Sequence, residues 1–545
     1  MEGGLGPVVA EGTPAEVIVT NEARRPVDDS TLGVAIAPTS PAGAPRHRLV
    51  AVGDSLTHGF KNFAVDDTQL SYPAMIAREL GWKDYRYPRY DGPGGLPLDL
   101  EWLLRGLEAQ TGGDLALADA GTIVLAARRL LEEHEDYWER GAGARIVRDA
   151  DLNHNLAIYG WDLRDVLSRD ADTCHDELVP ISDKPWPGMP QNSGPLAALR
   201  VLESARDSGG RALTPLEAAA QLGASGSLAA DGSQMPDSDG IETLIVFIGS
   251  NNALPTVLTL DVNWSRLDYA NLGAKDAYTV WRPSHFAAEL RAVSEAVARI
   301  RARHVLWLTI PHVTIAPIAR GFGGKLGPTS RYFHYYGRPW VDEQTFMADP
   351  TKFPHLTSDQ ARAVDSAIDQ YNEAIVQTVR DARTAGHDWH LVDFSGVLDR
   401  MATRRYFEQP EAQPDWWTPY EMPQALTDAL GFTPTTEFLR SGPNGIEAGG
   451  IVALDGVHPT TVGYSLMAHE CIKVMKQVGV RFFTPEGAER PEPEVGFADV
   501  VRSDTLLSNP LRSEGSMLKL LGTLDERFAL IATFEQALRR RKKSA

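Results

Sequence analysis

Short apolar, β-branched runs recur along the chain, at 48–52, 156–158, 243–248, 304–310 and 390–392, and none alternates polar with apolar residues. Runs of that kind predict strands buried on both faces. Between them the pattern takes the helical period. The clearest case is 357–385, where Val364, Ile368, Tyr371, Ile375 and Val379 repeat at spacings of four and three. Thr357 and Gln360 have the spacing of a capping box at its start, with Leu356 as a staple residue. Strands without alternation, separated by amphipathic helices, predict an α/β fold with a mainly parallel sheet covered on both faces.

The spacings between these strands are long, so the sheet carries large insertions, at about 61–150, 165–240, 312–355 and 401–450. Residues 1–46 are rich in Gly, Ala, Pro and Thr and predict a flexible N-terminal arm. Residues 480–545 read as a Pro/Glu-rich linker and a C-terminal amphipathic helix. The helix has Met517, Leu520, Leu521, Leu524, Phe528, Ile531 and Leu538 on one stripe, a surface for its own domain or for a homo-oligomer. No repeat of fixed period is present.

Composition narrows the classes of function. With 73 acidic against 53 basic residues the net charge is −20, which argues against nucleic acid or anionic membrane as a partner. The two cysteines, Cys174 and Cys471, are too few for a disulfide scaffold or a cysteine zinc site. The leader lacks a secretory pattern and no apolar run has membrane-spanning length, so a cytoplasmic protein with no integral membrane segment is expected.

Four short blocks carry chemistry. Gly53-Asp54-Ser55-Leu56 follows the first strand, where open α/β sheets bind ligands, and a glycine there permits a tight turn that lifts a hydroxyl into the cleft. The same block also reads as a strand-ending turn with Asp and Ser as caps. Asp455-Gly-Val-His458-Pro-Thr supplies an imidazole to take a serine proton and a carboxylate to fix its tautomer. Gly249-Ser250-Asn251-Asn252 follows the strand at 243–248; its first Asn is an oxyanion donor or an Asx-turn. Asn155-Leu-Ala-Ile-Tyr-Gly160 ends in a glycine whose N–H faces the same cleft or merely turns the chain.

Taken in order, these blocks resemble the GDSL-type, or SGNH, hydrolase family. The resemblance implies a three-layer α/β/α sandwich (flavodoxin-like) over 47–479 and a serine esterase or lipase acting on carboxylic esters. It implies Ser55 as nucleophile, His458 as base and Asp455 as its orienting acid. The N–H groups of Ser55 and Gly160 and the side chain of Asn251 would form the oxyanion hole. Asn252 departs from the family, which commonly has Asp there. The implied substrate is a small-molecule, lipid or carbohydrate ester.

No Gly-x-Ser-x-Gly, P-loop, His-Glu-x-x-His or Gly-x-Gly-x-x-Gly motif is present, so no cofactor and no catalytic metal are expected. His334 and His390 read as core or surface residues. Two alternatives stay open: an acyltransferase using the same acyl-enzyme, and a catalytically silent binding or interaction module. Two aromatic clusters, Tyr332 to Tyr336 with Trp340 and Tyr406 to Tyr420, read first as cores of their insertions and second as walls of an acyl or sugar pocket.

Overall fold

The computed structural model describes residues 7–37, 42–111, 120–149, 151–182, 188–442, 445–511, 521–523, 525, 531 and 532. Four of the apolar runs are strands: β1 (His47–Gly53), β2 (Ile241–Phe247), β3 (Ala302–Leu308) and β4 (Trp389–Val392). They form one parallel sheet in the order β4-β3-β2-β1. Val50, Val52, Leu244, Val246 and Leu306 are fully or almost fully buried, which is why these strands show no polar alternation.

The fifth run is not a strand. Beside β1 the chain makes one parallel bridge, Ala51 to Asn155, with bonds from Leu156 N–H to Ala51 O (2.8 Å) and from Ile158 N–H to Gly53 O (3.1 Å). The Asn155 side chain is itself bonded to backbone: its Oδ1 accepts the Ala157 N–H at 3.2 Å while its Nδ2 donates to Thr57 O at 2.8 Å. The bridged segment still fixes the topology. From β1 the chain goes first to one side of that strand and then, at β2, to the other, so the order reverses at the end of β1.

The helices that matter to the site are α1 (Ser55–His58), α2 (Tyr72–Glu79), α3 (Pro283–Val297), α4 (Ser358–Thr384), α5 (Phe394–Met401) and α6 (Thr461–Gln477). The α4 capping box is present: Gln360 N–H donates to Thr357 Oγ1 and Thr357 N–H to Gln360 Oε1. Its stripe of Val364, Ile368, Tyr371, Ile375 and Val379 is buried. Helix α3 packs on α4, and α2 on α6.

Both chain ends depart from expectation. The described part of the arm is docked, because it brings its own apolar and ionic partners. Val17 is buried, Ile18 and Thr20 donate to Gln370 and Ser366 on α4, and Arg24 Nη1 lies 3.0 Å from both Asp393 oxygens. Residues 480–511 are likewise held by the buried side chains of Phe482, Val495 and Phe497. Asp504 Oδ2 accepts the Val462 N–H in the first turn of α6 at 2.9 Å. The stripe at 517–538, and with it the expected oligomer surface, falls mainly outside the described residues. No described helix is long and apolar enough to cross a membrane.

Candidate active site

The site starts from the turn that ends β1. A Cβ on Gly53 would stand 2.3 Å from Thr57 Oγ1 and 2.5 Å from Phe247 O, so only glycine lets the chain turn this close to β2. Asp54 then caps α1: its Oδ1 accepts the Leu56 N–H at 3.1 Å, and its Oδ2 reaches the Ser250 N–H at 3.3 Å. One buried carboxylate thus joins the turn after β1 to the turn after β2. Burial pushes that carboxyl up to about 6, against the pull of these N–H donors and of His458.

The capped turn sets Ser55 at the first position of α1. Its Oγ lies 2.9 Å from His458 Nε2, and His458 Nδ1 lies 2.9 Å from Asp455 Oδ2. Ser55, His458 and Asp455 are 2, 1 and 0% exposed, so the relay is screened from bulk water. Asp455 Oδ1 also accepts the N–H groups of Val457 and His458, both at 2.8 Å. Burial alone would raise the Asp455 carboxyl, but the imidazole and these donors hold it below the ordinary carboxylate range.

Gly160 and Asn251 are brought to one another rather than bonded to Ser55. Asn251 Nδ2 donates to Trp161 O at 2.8 Å, leaving its second amide hydrogen free of that bond. Gly160 has φ +77°, the left-handed region that a side chain resists. The N–H groups of Ser55 and Gly160 have no acceptor among the described residues. Asn252 points elsewhere: it is fully buried, its Oδ1 accepts the Leu163 N–H at 3.5 Å, and its Nδ2 has no partner among the described residues.

Three further groups hold this arrangement, and sequence reasoning missed them. His58, three residues after Ser55, accepts the Tyr159 N–H at Nδ1 (3.1 Å) and meets Tyr90 Oη at Nε2 (2.7 Å). Burial drives its imidazole down to about 3, so it is neutral and serves as a strut to the Gly160 turn. Tyr464 on α6 donates to Phe60 O at 2.5 Å, tying the end of the nucleophile turn to the helix after His458. Asn62 and Phe63 both have positive φ, 53° and 67°, in a turn closed by reciprocal bonds between Lys61 and Ala64. The Phe63 N–H donates to Asp455 Oδ2 at 3.1 Å. The proximity of His58 to Ser55 was the one visible signal, while the Phe63 and Tyr464 contacts join segments about 400 residues apart.

Beside Ser55 and His458 opens a pocket with about 840 Å³ of empty space, counting its mouth. Its walls are mostly aliphatic, among them Leu254, Val313, Ile315, Leu398, Met401 and Leu466. They come from the segments after β2, β3 and β4 and from α6. The aromatic clusters stay out of its lining: Tyr332 and Tyr336 join the main core of the molecule rather than a core of their own insertion, and Tyr406 packs with Trp417 in a separate small cluster. Chemically, the arrangement can take a proton from a serine hydroxyl beside an apolar recess. No protein-family model and no curated protein matches the chain.

Proposed function

We propose that this protein is a serine hydrolase of the GDSL/SGNH type that cleaves carboxylic esters through an acyl-enzyme on Ser55. One observation carries the reading: the Ser55–His458–Asp455 relay, with both links at 2.9 Å, on the wall of an apolar pocket. The fold reading goes with it, a three-layer sandwich in which α3 and α4 cover one face of the sheet and α2 and α6 the other.

In this mechanism Ser55 Oγ attacks the ester carbonyl as His458 Nε2 takes its proton, and Asp455 holds the Nδ1–H and stabilises the imidazolium. Negative charge on the carbonyl oxygen is met by the N–H groups of Ser55 and Gly160 and the free amide hydrogen of Asn251. The tetrahedral adduct collapses as His458 returns the proton to the departing alkoxide. Water then attacks the acyl carbonyl, gives its proton to His458, and the carboxylic acid leaves as Ser55 recovers its hydrogen. The aliphatic pocket favours an apolar acyl group, since its walls offer such a group few polar partners.

A fluorophosphonate probe tests this directly. It should add to the Ser55 peptide of the wild type and to neither Ser55→Ala nor His458→Ala, and Ser55→Ala should keep the wild-type melting temperature while losing turnover of nitrophenyl esters. An unlabelled wild type, or a Ser55→Ala variant that retains most turnover, would sink the proposal.

A further inference from the structure

At the end of the sheet away from Ser55, two adjacent parallel strands bring together three side chains with no part in the relay. Asp388 directly precedes β4 and His390 is its second residue, so the two share one face by the two-residue period of a strand. In the register of β3 against β4, His390 lies opposite Leu306, and His304 sits two residues before Leu306 on that same face. His304 Nδ1 is 2.6 Å from Asp388 Oδ2, and His390 Nε2 is 2.6 Å from Asp388 Oδ1. All three border a broad polar cleft that also holds Asp29, Asp239 and Glu242.

As a hydrogen-bonded cluster this group is poorly satisfied. Both nitrogens facing Asp388 must carry protons, yet Arg383 Nη1 also approaches His390 Nε2, at 3.4 Å, with a hydrogen of its own. His390 Nδ1 is buried with no partner among the described residues, a cost in either tautomer.

We infer that His304, Asp388 and His390 form a binding site for a divalent transition metal of the zinc class. Two imidazoles and one carboxylate suit Zn²⁺, Co²⁺ or Ni²⁺, whereas Ca²⁺ and Mg²⁺ take oxygen ligands. With metal–ligand bonds near 2.0–2.2 Å, tetrahedral ligands stand about 3.4 Å apart. The three ligand atoms lie within 4.8 Å of one another. To share one ion, the two 2.6 Å contacts, each to a different oxygen of Asp388, open by less than about 1 Å while the wider spacing closes to about 3.4 Å. The cleft supplies room for water as the remaining ligand. Arg383 is the nearest adverse charge, its Nη1 3.6 Å from Asp388 Oδ1, and Arg303 and Arg481 also line the cleft. The Arg383 guanidinium is already engaged by Trp389 O at 2.7 Å and Val34 O at 2.9 Å, and Asp29, Asp239 and Glu242 line the same cleft. The ion would tie the amino ends of β3 and β4 together, remote from the reacting serine, so its role is structural.

The test uses the full, tag-free chain after chelator treatment. Titration with Zn²⁺ by calorimetry should give one equivalent bound and a rise in melting temperature, with no response to Mg²⁺. Co²⁺ should give visible d–d bands at the same stoichiometry that Zn²⁺ abolishes. His304→Gln and His390→Gln should each weaken binding at least tenfold, and ester hydrolysis by His304→Gln should stay within twofold of wild type. A wild type that binds neither ion, or variants that bind as wild type does, would overturn the site. The cobalt spectrum of the wild type keeps the test decisive even if a variant fails to fold, and none of these binding readouts depends on Ser55 being a nucleophile.

Discussion

Gly53, Asn251 and Asn252 sit within one turn of each other's strands, yet each answers to a different physical demand. Gly53 is a spacing residue. Adding a Cβ at 2.3 Å from Thr57 Oγ1 and 2.5 Å from Phe247 O forces β1 and β2 apart at the point that carries Ser55. Gly53→Ala should therefore cost about 1–3 kcal/mol of stability and reduce kcat more than KM, measured by denaturant unfolding and steady-state ester hydrolysis. Asn251 is half-buried with one amide hydrogen free, whereas Asn252 is sealed in and accepts a helix N–H. Asn251→Ala should lower kcat by about 10²-fold with little change in KM or melting temperature. Asn252→Ala should instead lower the melting temperature through its lost acceptor, worth about 1 kcal/mol. Equal losses of activity and stability in the two variants would remove Asn251 from the site. Asn252→Asp should leave kcat within a few-fold, because the unpartnered Nδ2 is replaced by an oxygen while the acceptor is kept.

At the scale of elements, the N-terminal arm acts on α5 from the other end of the chain. Asp393 caps α5, receives the Val27 N–H at 2.7 Å and the Thr309 hydroxyl at 2.7 Å, and is paired with Arg24. The next residue, Phe394, borders the apolar pocket together with Leu398 and Met401 of the same helix. Arg24 and Asp393 side chains are 7 and 4% exposed, so removing the cation leaves a buried carboxylate without its counter-charge. Arg24→Ala should cost about 3–5 kcal/mol, seen in chemical denaturation. It should also raise KM for long-chain esters more than for acetates, since α5 walls the pocket and not the relay. A loss of stability below about 1 kcal/mol would show that the arm is only draped on the surface.

For the molecule as a whole, the buried carboxylates of the site respond to pH in opposite senses. Asp455 has its carboxyl lowered, so its contribution is present above the unfolded value and lost only as pH falls through the folded one. Asp54 is raised from 3.8 to about 6, so its stabilising contribution is complete below about pH 4 and disappears as pH rises through 6. Asp54→Asn, neutral at every pH, should accordingly gain on the wild type by on the order of 3 kcal/mol between pH 4 and pH 7.5, measured as paired unfolding curves. A difference independent of pH would mean Asp54 ionises as freely in the folded protein as in the unfolded one. Base-assisted attack should make hydrolysis rise from acid pH to a plateau. A rate flat from acid to neutral pH would remove His458 as the base.

The parallel sheet, the long α4 helix and the identity of Ser55, His458 and Asp455 as residues that meet were legible in the chain itself. Apolar runs without alternation, a capping box and short polar blocks at strand ends are local signals, complete within a few residues. The strand expected at 156–158 is cut to a single bridge at Asn155 with two further bonds to β1, a shortening that apolar periodicity does not register. Fold closure alone decided the rest. The strained Phe63 turn that holds Asp455, the Tyr464 and His58 struts, the docked arm and the aliphatic pocket are contacts between segments tens to hundreds of residues apart. The same holds for His304, Asp388 and His390, unremarkable singly and gathered only by the register of two parallel strands. A local pattern reports what a segment prefers, but which segments become neighbours depends on how the whole chain buries its apolar surface.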